Sequence, residues 1–179
     1  MSQQRLAAAE GLKRAYAAYY DVEPVEDETG LTAVCAYHLR ESRYVLVKRA
    51  ELWAAESHEY LYLWSLEQLD GAALETVFAR VLEDGESRIR PHAQHMHTYL
   101  TAVVLYDSAS PETLEQLKKL KKRREYRLSL HGWMEFRIAA VDVSTAEVTA
   151  NRSGRCMEKD LRRLVENIIS KHKGEEKTQ

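Results

Sequence analysis

The chain has 179 residues, 45% hydrophobic and 30% charged, a balance that fits one globular domain with a sizeable core. Its formal charge of −2 exerts no global pull on nucleic acid or an acidic surface, so an electrostatic partner must be read by a local patch. The two cysteines, Cys35 and Cys156, stand far apart, which excludes a zinc knuckle or disulfide framework and predicts a reduced, cytoplasmic protein.

Residues 2–20 read as a helix, with Leu6, Ala9, Leu12, Tyr16 and Tyr19 near one face. Charges at Arg5, Glu10, Lys13 and Arg14 make this segment unlike a signal peptide. No stretch approaches the roughly 20 apolar residues that cross a bilayer, so no membrane partner is expected. The acidic segment DVEPVEDETG, punctuated by Pro24 and Gly30, reads as a solvated loop. Three strands are predicted next, over 31–40, 42–52 and 58–66, with ES and AES as hairpin links. In the third, Tyr60, Tyr62 and Trp64 share one face, and Tyr44 of the second could join them beneath a covering helix.

At residue 70 the period changes. Leu74, Val77, Phe78, Val81 and Leu82 fall at helical spacing over 70–89. YLTAVVLY (99–106) is apolar on both faces, the mark of a central strand covered on two sides. Ser110, Pro111 and Glu112 then form a strong helix start, and that helix is expected to carry the run KKLKKRR at its end. RLSLHGWMEF and RIAAVDV read as strands, with a turn at Gly132 and Trp133 folding onto the core. EVTAN adds a short strand, and TANRSGR a turn in which glycine takes positive φ. An amphipathic helix over 157–172 closes the chain before a loose tail, 173–179. The expected fold is one α/β or α+β domain over 1–179, a mixed sheet of about five to six strands flanked by helices.

That order, α–β–β–β–α–β, resembles the restriction-endonuclease-like core. The stretches HMHTYLTAVVLYD, HGWMEFRIAAVDV and TANRSGR also resemble an uncharacterised bacterial domain family without an assigned function, over most of residues 31–155. The nuclease likeness implies an acid-x-Lys pair on the third core strand, where carboxylates hold Mg²⁺ and lysine positions water. Here Glu59 is followed two positions on by Leu61, and the acid-x-Lys match Glu175–Lys177 lies in the tail. Glu51 and Glu59 could face each other across a hairpin, but no lysine follows either at the required spacing. No catalytic residue is therefore assigned.

Two patterns carry candidate chemistry. His92, His95 and His97 could supply ligands for a divalent metal, since residues i and i+2 of a strand share a face, with Glu59 or Glu135 completing the site. The bland alternative is a set of polar loop residues bonded to backbone. Lys118, Lys119, Lys121, Lys122, Arg123 and Arg124 could grip phosphates, extended by Arg127, Arg152 and Arg155. The alternative there is a solvated helix end with cations suited to the dipole, because no aromatic platform interleaves the run. The reading is a non-catalytic binding or accessory domain, with nucleic acid reached through the basic helix as its finer form. A metal-dependent hydrolase on the three histidines is one alternative. A protein-interaction module that forms a homodimer is the other.

Overall fold

The computed structural model of the chain describes residues 2–25, 27–44 and 51–176. Helix α1 spans Gln3–Tyr16, capped by the Ser2 hydroxyl, which accepts the Arg5 N–H at 3.1 Å. Strands β1 (Asp21–Pro24), β2 (Leu31–Tyr44) and β3 (Glu51–Leu69) follow, then helix α2 (Gly71–Arg88), strand β4 (His95–Ala109) and helix α3 (Pro111–Lys119). Asp70 caps α2 and Ser110 caps α3, each accepting the N–H three residues on. Strands β5 (Arg123–Glu125), β6 (Trp133–Asp142) and β7 (Val148–Ala150) lead through a 3-10 helix, Arg152–Met157, into α4, Glu158–Glu176.

The fold is α+β. Its seven strands form one mixed sheet in the order β1-β2-β3-β4-β6-β5, with β7 beside β6. β2 is antiparallel to both its neighbours, β1 and β3, whereas β3, β4 and β6 run parallel. β4 is central, and Val103 and Val104 are both fully buried on opposite faces, as the apolar run predicts. On one face, Leu74, Val77 and Val81 of α2 and Leu117 of α3 close over Tyr60, Tyr62, Trp64, Leu100 and Phe136. The Tyr62 hydroxyl escapes by donating to Asp84 at 2.5 Å. On the other face, Leu12 of α1 and Leu161 and Val165 of α4 close over Leu61, Leu63, Val103, Leu105 and Val141.

Several expectations are corrected. Asp21–Pro24, expected as loop, is an edge strand paired with β2. The three strands expected over 31–66 are two long ones: Glu41 and Ser42 pair with Ala55 and Ala54, so neither ES nor AES is a turn. The centre of the expected strand 42–52 lies outside the described residues, as does the side chain of Tyr44. Glu51 and Glu59 lie on one strand and not across a hairpin. The basic run leaves its helix: only Lys118 and Lys119 belong to α3, Lys121 and Lys122 lie in the link, and Arg123 and Arg124 are on β5. Gly154 sits in the 3-10 helix, where a Cβ would come within 2.5 Å of the Ile138 carbonyl; close approach selects the glycine. Residues 173–176, expected in a loose tail, continue α4.

Candidate functional site

Helices α1 and α4 cover only the half of their sheet face that carries the C-terminal parts of β3, β4 and β6. Over the N-terminal parts the face is open. Tyr37 and Leu39 of β2, Ser57 and Glu59 of β3, His97 and Tyr99 of β4 and Arg137 of β6 line a cleft of about 370 Å³ there, a size within the range of small-ligand pockets. The Arg137 guanidinium carbon lies 3.1 Å from the Tyr99 ring centre, a cation–π contact. Its Nε is buried and has no hydrogen-bond partner among the described residues.

Glu59 stands at the inner end of the cleft. Its two carboxylate oxygens accept from the Tyr20 hydroxyl at 2.7 Å and the Thr101 hydroxyl at 2.6 Å. Burial, and then the Glu59 charge, push the Tyr20 phenol well above its ordinary range. The same two causes lift the Cys35 thiol to about 11, so it is an inert core residue. Burial and the charge of Arg137 hold His97 below the usual histidine value, so the cleft favours a neutral imidazole.

One edge of the cleft is aromatic. The His97 ring stacks on Trp133 with centroids 5.1 Å apart, and Tyr99 meets Trp133 edge-on at 5.4 Å. Trp133 is thus part of the open face, and not folded into the core as the sequence suggests. Over its ring sits Arg123, with the guanidinium carbon 4.2 Å from the centre. Arg123 also belongs to a second groove of about 960 Å³, walled by Lys118, Lys119, Lys121, Lys122 and Arg152. The acid lining that groove is Glu135, which accepts from the Ser153 hydroxyl at 2.8 Å. Lys118 is turned aside to Glu115 at 2.6 Å, and Arg124 reaches Glu86 at 3.0 Å. The basic run and an aromatic platform therefore meet at Arg123 and Trp133, a juxtaposition made by the antiparallel pairing of β5 with β6.

Of the three sequence-selected histidines, His97 is set apart from His92 and His95. β4 carries an extra residue at Met96, so His95 pairs with Glu56 but His97 pairs with Ser57. That bulge turns the two rings to opposite faces, contrary to the two-residue alternation expected of the strand. His95 is only 4% exposed, with Nδ1 donating to the His131 carbonyl at 2.7 Å and Nε2 2.9 Å from the Thr98 hydroxyl. Its ring neighbours are instead His58 and His92. His58 Nδ1 lies 2.8 Å from His38 Nδ1, and His92 Nε2 lies 3.1 Å from Glu56. Residue spacing carries no sign that His38 of β2 and Glu56 and His58 of β3 join His92, from the loop before β4, around His95. Among the described residues no three histidine, cysteine or acidic side chains are arranged to hold a metal ion. Glu135 lies in the basic groove, so it does not complete a centre with His95.

A family model described as a domain of unknown function, DUF8052, matches residues 5–163. The chain belongs to this family. The match takes in every strand and both grooves, so the platform and the basic run lie within the family's domain. No curated protein and no solved structure matches the chain. The element order α–β–β–β–α–β is present, but it is reached with β1 as its first strand. No helix among the described residues is long and apolar enough to cross a membrane.

Proposed function

We propose that this domain binds single-stranded nucleic acid, with phosphates tracked along the Lys119–Arg152 groove and bases packing on the open edge of the stack that His97, Trp133 and Arg123 form across β4, β6 and β5. The observation that carries this is the placement of Arg123, which lines the basic groove and covers the Trp133 ring. Proteins that bind single strands without sequence preference combine these two parts, a cationic track and π-faces for the bases. The formal charge of −2 is no obstacle, because the cations are gathered on one side of the sheet edge. The neutral His97 and the Arg137–Tyr99 pair extend the stacking surface into the cleft.

The test is a salt-dependent titration with a labelled oligonucleotide. Lys119, Lys121 and Lys122 are changed together to Gln, leaving out Lys118, which is held by Glu115. The slope of log K against log salt should flatten by about 2, at roughly 0.7 per lost single-strand phosphate contact. An unchanged slope, or no binding by the wild type at about 50 mM salt, removes the proposal.

A further inference from the structure

Between β5 and β6 the chain makes a turn over residues 126–132 with an unusual backbone. Arg127, Leu128 and Ser129 take φ of +48°, +53° and +67° in succession, and none is glycine. L-residues visit this region singly and with strain, so three together must be over-determined by their surroundings. The turn is closed by Tyr126 N–H to the Gly132 carbonyl at 2.9 Å and His131 N–H to the Tyr126 carbonyl at 3.1 Å. Its base is clamped to β4. His95 bonds the His131 carbonyl, and Gly132 lies so close to the His95 and Met96 carbonyls that a Cβ would come within 2.5 Å of each.

This held turn presents Leu128 at 92% and Leu130 at 75% exposure, the first being the most exposed large apolar residue described. Nothing in the core needs them, and an exposed apolar pair on a strained tip gains nothing for folding. Arg127 is on the turn itself, and Arg123 and Arg124 lie on the strand that leads into it, Arg124 reaching Glu86. Immediately after it comes Trp133, the platform, and beside its base lies Met96, on the rim of the cleft.

We infer that this hairpin is a wedge that engages the junction between duplex and single strand, with Leu128 and Leu130 packing on the last base pair. The inference rests on the single-strand reading above and names its substrate class: nucleic acid that is part paired and part open. In other nucleic-acid binders apolar side chains wedge between base steps and unstack them while cations hold the backbone, which is the chemistry a junction requires. Arg127 on the turn and Arg123 on the strand before it match phosphates, and the freed strand would meet Trp133 directly. The same cations would also match an anionic lipid surface. A flat bilayer, however, has no use for the aromatic platform and the groove that continue from the tip.

The experiment measures binding of the full chain to three labelled probes: a single strand, a blunt duplex, and the same strand joined to that duplex as a fork. The fork should bind about tenfold tighter than the free strand, the scale of one added stacking contact. Leu128→Ser with Leu130→Ser should bring the fork to the single-strand value and leave single-strand binding unchanged. Leu128→Gly with Leu130→Ser, which suits the left-handed turn, should do the same with folding secured. Fork and strand bound equally by the wild type would overturn the wedge and leave the single-strand reading standing. No binding to any of the three would overturn both. Leucine-dependent sedimentation with phosphatidylserine-containing vesicles, without fork preference, would assign the tip to lipid and overturn the wedge.

Discussion

The side-chain amide of Asn151 donates to the Leu120 carbonyl at 2.9 Å, tying the middle of the basic run to the start of the last helical segment. Asn151 is buried, and its Oδ1 accepts from the Gly154 N–H at 2.8 Å and the Ile138 N–H at 3.2 Å. One side chain thus caps the 3-10 helix, ends the β6–β7 ladder and sets the path of Lys119–Lys122. Asn151→Ala leaves buried backbone groups without partners, at roughly 1–3 kcal/mol for each. Urea denaturation should show a loss of about that size, and the same variant should weaken oligonucleotide binding through the displaced loop. A midpoint equal to the wild type would show that water replaces the amide at no cost and that the loop needs no tie.

Trp133 separates stacking from charge. Trp133→Ala removes the platform under Arg123 without changing the net charge, so the salt slope should stay constant while affinity falls by ~1–3 kcal/mol, about five- to 150-fold. Trp133→Phe keeps a π-face and should retain most of the affinity. A loss in slope with Trp133→Ala would mean that the tryptophan acts by placing Arg123, and that bases do not stack on it.

Val103 and Val104 test the central strand. Both are fully buried between parallel neighbours, and they face opposite cores. Val103→Asp or Val104→Asp buries an unpaired carboxylate at a cost of several kcal/mol, comparable with a whole stability of ~5–15 kcal/mol. Neither variant should accumulate as folded, soluble protein. Cooperative melting of both would contradict the burial.

What was legible in the sequence is what burial on a regular period writes there. The apolar run in β4, the helical spacing in α2 and the Ser110–Pro111 start of α3 each appear where their patterns put them. β1 left no such trace, because an edge strand that reads Asp-Val-Glu-Pro and is exposed at three of four positions has no buried face to pattern. The long β2–β3 arms were cut at ES and AES because polar residues resemble turns, yet the ladder runs straight through them. The bulge at Met96 depends on pairing with β3, which no local signal encodes. For the same reason the basic run was visible and its aromatic partner was not: Arg123 and Trp133 meet only when β5 folds back on β6.

The pH dependence of stability has a definite sign. Burial, then the nearby His38 and His95, hold His58 below the ordinary histidine value, with Glu56 opposing. His97 is held down by burial and Arg137. The folded state therefore binds protons at these rings less readily than the unfolded chain, whose histidines titrate near about 6.5. Stability contributed by the neutral rings is complete above that value and is lost as pH falls through it toward the lower folded values. The melting temperature should drop on acidification from about pH 8 to about pH 5, and the drop should shrink in His58→Gln with His97→Gln. A melting temperature that rises over this window would reverse the assignment.

The separation of His95 from His97 yields a contrast between two alanine variants. His95 uses both ring nitrogens inside the structure, on the His131 carbonyl and the Thr98 hydroxyl, and it anchors the β5–β6 turn to β4. His95→Ala should cost roughly 1–3 kcal/mol for each group left without a partner. His97 is half-buried, and its ring lies on Trp133 with Nδ1 3.5 Å from the Ser57 hydroxyl, so His97→Ala should cost less. A centre that joined His92, His95 and His97 would behave differently. Both variants would lose the same bound metal, and chelator would lower the melting temperature of the wild type but not of either variant. With the two rings on opposite faces of β4, untagged protein should carry well under one equivalent of zinc, iron, nickel or manganese, and chelator should leave its melting unchanged. A stoichiometric metal that disappears in both variants would require β4 to pair without its bulge, and would bring the three histidines together after all.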